Sequence, residues 1–392
     1  MHITKEIGGL EQSMKKKNDV IISADEIDEI EEVEITSNDV EVPQRKGFFS
    51  KKEKNKGFHI TKNELSTGAK KSMATRLISA LVGMAIVVPA IFLGDWIYFG
   101  VVTLAMAIAC YEILGCTNKR TAATVIVYFL FVALIAYWPI FKTLIANGGE
   151  ISKIDSYYDR IYLPIIPLTV GLFLVFFLTV IYKDFTVHDA CFLIAMTLLV
   201  GLGFQCLFYL RYSLIKTFNI PDMEAWTFTV ENTVKPSLLL VFVIVSTFLT
   251  DSGAYFVGIF FGKNKINERI SPKKTWEGFV GGVVISFVLS ASIGIVLAKY
   301  YPIHPMLTLE KGWYWILILS LLIPLFATLG DFVFSSIKRY WGIKDYGKLI
   351  PGHGGVLDRL DSIIFAVIIT SIFIFMLSTI TDGELSWKDF LV

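Results

Sequence analysis

Charge is scarce in this chain. Of 392 residues, 18% are Asp, Glu, Lys or Arg, against about 25% in an ordinary soluble domain. With 54% hydrophobic and 14% aromatic residues and a positive mean hydropathy, a water-soluble globule is excluded and an integral membrane protein is implied. Cysteine is also scarce. Cys110, Cys116, Cys191 and Cys206 lie in or beside apolar segments, form no CxxC pair and have no histidine at metal-ligand spacing, so they are expected to pack as small apolar residues. No short apolar run follows a basic stretch near the N-terminus. The first such run begins near Leu77, so the first span is expected to act as the targeting signal.

What charge there is has been sorted along the chain, which the formal net charge of +1 conceals. Residues 1–75 join an acidic run, "SADEIDEIEEVEITSNDVEV", to a basic one, "QRKGFFSKKEKNKGFHITK", with little apolar periodicity; a disordered cytoplasmic tail is expected. Residues 76–392 form the expected transmembrane domain. A window of about 20 apolar residues, enough to cross roughly 30 Å of hydrocarbon, picks out nine segments: 77–94, 96–114, 123–141, 162–182, 190–210, 238–261, 278–298, 314–334 and 362–380. The first two are joined by Asp95 and little else, which predicts a tight hairpin. The fold class is therefore an all-α polytopic membrane protein of about nine spans, with a polar cavity open to the cytoplasmic side. The two densest Lys/Arg loops fall on the side of the tail, and the positive-inside rule makes that side cytoplasmic.

Those loops are "GKNKINERISPKKTWEG", 262–278, and "SSIKRYWGIKDYGKLIPGHGGVLDRLD", 335–361, each with five Lys or Arg among glycines. Cations beside backbone that can approach closely suit polyphosphate binding; positive-inside loops beside anionic lipid would look the same. Carboxylates tip the balance. Asp251 interrupts the apolar run "FLTDSGAYFVGIFFG" and Asp331 interrupts "IPLFATLGDFVFSS", and an intramembrane carboxylate is costly enough to mark a functional site.

Asp358 and Asp361, three apart at the start of the last span, have two compatible readings. They suit an N-cap and the acidic N3 residue of a capping-box-like start. They also share a helix face and can meet one hard cation, since Mg²⁺ takes one or two protein carboxylates and completes its shell with water and substrate phosphates. His353 could be a base, a phosphate donor or a turn residue.

The spacing of Ser335, Ile337, Lys338, Arg339, Lys344, Asp345, Gly347, Ile350, Pro351, His353, Gly354, Gly355, Asp358, Arg359 and Asp361 resembles the signature of the phosphatidate cytidylyltransferases, the CDP-diacylglycerol synthases. "SPKKTWEG", from Ser271 to Gly278, is similar to the family's second hallmark, and "DSGAYFVGIFFGK" to the helix before it; the resemblance is strongest over 235–380. It implies transfer of a cytidylyl group from CTP to phosphatidic acid, giving CDP-diacylglycerol and pyrophosphate with Mg²⁺. Asp331, Asp358 and Asp361 would form the metal site, with a second, monovalent cation such as K⁺ also compatible. Lys338 and Arg339 would act catalytically on phosphates. Ser271, Lys273, Lys274, Thr275, Lys344, His353 and Arg359 would bind substrate, and Asp251 would support the site. The implied partners are CTP, phosphatidic acid and the bilayer, with no nucleic acid; a homodimer stays open, and a bacterial cell membrane is the expected location.

Two alternatives remain. A transporter or channel could use Asp251 and Asp331 as a cation path, although both lie near one membrane face and no internal repeat is found. Another CTP-dependent lipid phosphotransferase is nearer in chemistry.

Overall fold

The structure, a computed structural model, describes residues 67–146, 165–217, 235–300, 307, 309, 312–352 and 354–381. The expected tail therefore lies almost wholly outside the described residues, as does His353. Ten helices and one small hairpin make up the described chain. Helix α1, Thr67–Leu93, begins before the expected boundary at 75, and its first turns hold the good helix formers Ala69, Lys70, Lys71, Met73 and Ala74. A single residue separates it from α2, Asp95–Cys116: Gly94, with φ of 65°. Asp95 is thus the first residue of α2, and the hairpin turns on the glycine. A methyl at Gly94 would displace the end of the Arg211 side chain, and the positive φ favours glycine at this turn.

Next come α3, Ala122–Ala136, and α4, Trp138–Ala146. The Thr121 hydroxyl caps α3 by accepting Thr124 N–H at 3.3 Å. The expected third span is thereby divided, because the helix breaks at Tyr137 just before Pro139. Helix α5 is Ile165–Ile181 and α6 is Val187–Thr217. Thr186 and Asp189 form a reciprocal cap at the start of α6: Asp189 Oδ2 accepts Thr186 N–H at 2.9 Å, and Thr186 Oγ1 accepts Asp189 N–H at 3.2 Å.

The second half holds α7, Lys235–Phe261; the antiparallel strands β1, Lys265–Asn267, and β2, Ser271–Thr275; then α8, Trp276–Tyr300; α9, Trp313–Tyr340; and α10, Leu357–Thr381. Helices α7 and α8 pack along small residues. Gly282 lies against Ala254 and Thr250, and Gly278 against Gly258, while Thr250 Oγ1 donates to Ser286 Oγ at 3.0 Å and Ser286 Oγ to the Ser246 carbonyl at 2.9 Å. Small residues let apolar helices approach closely where no water drives them together. Helix α8 also packs on α9, α9 on α10, and α10 on α6. At the α9–α10 crossing, a Cβ on Gly330 would lie 2.6 Å from the Asp361 carbonyl oxygen.

Among the described residues six helices are long and apolar enough to cross a membrane, within α2, α6, α7, α8, α9 and α10. Three of the nine expected segments are shorter apolar stretches, Leu81–Leu93, Ala122–Ala136 and Ile165–Ile181. The multi-pass class stands; the count of nine full spans does not follow, because an apolar window registers composition and not where a helix breaks.

Candidate active site

The loop 341–356, between α9 and α10, is organised by Asp358. Its Oδ2 accepts backbone N–H groups from Tyr346 at 2.8 Å and Gly355 at 3.0 Å, and its Oδ1 accepts Lys338 Nζ at 2.8 Å. Helix α10 begins at Leu357, so Asp358 lies inside the first turn and reaches back, in place of the N-cap position expected for it. Gly354 turns the chain with φ of 80°, and a Cβ there would come within 3.0 Å of Asp358 Oδ2. Tyr346 packs over this pair. Its ring centre is 5.4 Å from Lys338 Nζ, and its hydroxyl donates to the Phe334 carbonyl at 3.0 Å. Burial pushes the Tyr346 phenol well above its ordinary pKa, so it stays a neutral donor.

Lys338 also faces Asp361, with Nζ 3.9 Å from Oδ2. The other Asp361 oxygen accepts Ser362 N–H at 2.8 Å. Across the α9–α10 contact, Asp331 forms an ion pair with Lys274 from β2 and accepts the Ser335 hydroxyl at 3.3 Å. Lys274 Nζ stands 4.1 Å above the Phe332 ring. Asp251, Asp331 and Asp361 lie in one another's electrostatic field, with Lys338, Lys274 and Arg359 around them. Lys274 from the β hairpin and Lys338 from the last turn of α9 therefore both reach the carboxylates. Lys274 and Asp331 are about a quarter exposed, whereas the Asp358 side chain is 3% exposed. The first pair is open to a ligand and the second is part of the frame.

Further residues of the expected set lie around this pair of carboxylate–lysine contacts. Arg339 binds backbone, with Nε to the Ile270 carbonyl at 3.2 Å and a terminal nitrogen to that of Ile343 at 3.3 Å, fastening the β1–β2 loop to the 341–356 loop. Thr275 is buried, and its hydroxyl accepts Gly278 N–H at 3.1 Å, capping α8. Ser271 pairs with Asn267 across the hairpin. Lys273, Lys344 and Arg359 have exposed side chains at the same end.

Glu112 is missing from the sequence-based set. It is 3% exposed near the end of α2, and its two oxygens accept Val356 N–H at 3.0 Å and Leu357 N–H at 2.8 Å. The signal was present: "AMAIACYEILGC" is a carboxylate in an apolar run, the same criterion that selected Asp251 and Asp331.

For a divalent cation the donor chemistry is suitable, because hard cations take carboxylate oxygens. Among the described residues, no three His, Cys, Asp or Glu side chains converge as a ready metal cage. Two carboxylates suffice for Mg²⁺ when substrate phosphates complete its shell. Asp331 and Asp361 meet that requirement better than Asp358, whose oxygens are taken by two amides and a lysine.

The sequence model of the Cytidylyltransferase family matches residues 74–377. A phosphatidate cytidylyltransferase of Staphylococcus epidermidis is 28% identical over 296 residues, covering 75% of this chain and 96% of that protein. One from Bacillus subtilis is 44% identical over 118 residues, 30% of this chain and 40% of its own length. One from Staphylococcus aureus is 36% identical over 197 residues, 50% of this chain and 63% of its own.

Proposed function

The chain belongs to the cytidylyltransferase family, and on that premise we propose that it is a multi-pass membrane enzyme that joins CTP to phosphatidic acid, giving CDP-diacylglycerol and pyrophosphate. The observation that carries the reading is the pair of lysines, Lys274 from one glycine-rich loop and Lys338 from the end of α9, brought onto carboxylates of α9 and α10. The Staphylococcus epidermidis relative named a phosphatidate cytidylyltransferase aligns with 75% of this chain and 96% of its own length.

One substrate carries its phosphate at the headgroup plane and the other is a soluble triphosphate, so a site at the ends of several helices serves both. The lipid phosphate oxygen attacks the α-phosphorus of CTP, and the bond to the pyrophosphate oxygen breaks. The nucleophile is already ionised, so the chain needs to supply no base. What opposes the reaction is repulsion between polyanions, and catalysis is mainly positioning and charge neutralisation. Lys274, partly exposed and paired with Asp331, is placed to exchange that carboxylate for a phosphate. Lys338 is held by Asp358 and fixes the head of α10. Arg359, Lys273 and Lys344 add positive field at the mouth.

Asp331 and Asp361 would hold Mg²⁺, with Asp251 contributing charge beside them. When bound, that ion would neutralise charge building on the leaving pyrophosphate. A monovalent second cation is compatible with the remaining carboxylate charge. His353 would touch phosphate or shape the turn. By the positive-inside rule this end of the bundle and the N-terminus face the cytoplasm of a bacterial cell, and a homodimer is compatible with this arrangement.

The deciding experiment incubates purified protein with phosphatidic acid, labelled CTP and Mg²⁺ and follows the label into a lipid-soluble product. Label that stays aqueous while the protein remains folded would overturn the reading.

A further inference from the structure

Glu112 comes from α2, far in sequence from the signature-bearing loops. Its burial is costly: a carboxylate near the end of an apolar helix, with the Asp358 carboxylate and the Arg120 guanidinium as its charged neighbours. Val356 N–H and Leu357 N–H, which it accepts, are the amides just before Asp358. At a helix start these groups have no partner within the helix, and the positive end of the helix dipole favours an anion there. The loop is shaped to admit this side chain. A methyl at Gly347 or at Gly355 would overlap the Glu112 carboxylate.

Two carboxylates thus clasp one loop. Asp358 holds the N–H groups of Tyr346 and Gly355 from within α10, and Glu112 holds the next two from another helix. We infer that Glu112 is a positioning residue for the transfer reaction, fixing the first turn of α10 and through it the placement of Asp358 and Asp361. A cap meant only to end the helix cleanly could come from the loop itself. An anchor from α2 ties the site to the other half of the bundle.

The assignment rests on the transferase reading, and its test separates the two. Turnover, KM for CTP and thermal unfolding are measured in detergent for the wild type, Glu112→Gln, Glu112→Asp, Gly355→Ala and the Glu112→Gln/Gly355→Ala pair. Glutamine presents an NH₂ group where one amide needs an acceptor, and aspartate draws the carboxylate back by a methylene. Each is expected to remain folded, to lower kcat on the order of 100-fold and to move KM for CTP by less than about threefold, as displacement of reacting groups does. Gly355→Ala pushes on the same carboxylate, so the double variant should lose little more than the worse single one. Wild-type kcat in Glu112→Gln, a loss confined to KM, additive losses, or loss of folded protein in both Glu112 variants would each overturn the assignment. A folded wild type without turnover would instead remove the transferase reading, and this one with it.

Discussion

Asp358 and Asp361 stand three residues apart at the head of one helix, and their oxygens are used differently. Asp358 spends both on the frame, taking two backbone amides and the Lys338 ammonium. Asp361 gives one oxygen to its neighbour's amide and leaves the other 3.9 Å from Lys338. Asparagine at 361 keeps a carbonyl oxygen for Ser362, so Asp361→Asn should abolish turnover while leaving thermal unfolding nearly unchanged. Asp358→Asn should lose turnover and also stability, by about 3 kcal/mol, because the single oxygen that asparagine keeps can serve either Lys338 or the two backbone amides, and the other side is left facing an NH₂ group. Chemical denaturation of the two variants beside turnover distinguishes the roles. Equal stability loss in both would place Asp361 in the frame as well.

At the scale of elements, the site depends on how closely α9 and α10 approach. Gly330 lies where a Cβ would meet the Asp361 carbonyl at 2.6 Å and the Phe365 Cβ at 2.9 Å. Gly330→Ala should therefore cost about 1–3 kcal/mol and reduce turnover by spreading Asp331 from Asp361. Gly342 makes the contrast. Its φ is 67° and the space around it is open, so Gly342→Ala should cost only about 1–2 kcal/mol of backbone strain and leave turnover largely intact. Melting curves and initial rates of the two variants check this. The distinction between them was not legible in the sequence, where both are glycines near a cationic loop. The loops themselves were legible, because Lys338, Asp358 and Asp361 are gathered within a short run of chain and helical spacing puts the two aspartates on one face. Glu112 stands out in the sequence as a carboxylate in an apolar run, but its contact with the loop does not, because its partner Val356 is 244 residues away and no local periodicity reports a contact of that range. For Arg339 and Thr275 the family resemblance implies contact with phosphate, while the contacts the fold gives them, to carbonyls and as a helix cap, were not legible in the sequence.

For the whole molecule, the lysine–carboxylate pairs neutralise two of the site's four aspartates within the fold itself. Chelation of divalent cations with EDTA should abolish turnover, restore it on return of Mg²⁺, and shift thermal unfolding little, because Lys274 and Lys338 already neutralise Asp331 and Asp358. A large loss of stability on chelation would make the ion a structural part of the bundle. The proposed orientation, with the Lys/Arg-rich loops on the cytoplasmic side, can be checked directly. A lysine-reactive, membrane-impermeant reagent should modify Lys263, Lys265 and Lys273, all exposed, in inside-out vesicles and spare them in intact spheroplasts. Modification from the outer face would invert the topology.

The bond from Glu112 to the amides of Val356 and Leu357 has a consequence for heredity and for engineering. A fragment carrying only residues 235–380 would contain the aspartates, lysines and glycines of the signature loops and still lack the acceptor around which Gly347 and Gly355 are cut. Such a chain is not a transplantable module. Chimaeras between relatives should work only when the donor of α2 supplies the glutamate for which the recipient's glycines leave room, so the two halves of this membrane domain are expected to travel together.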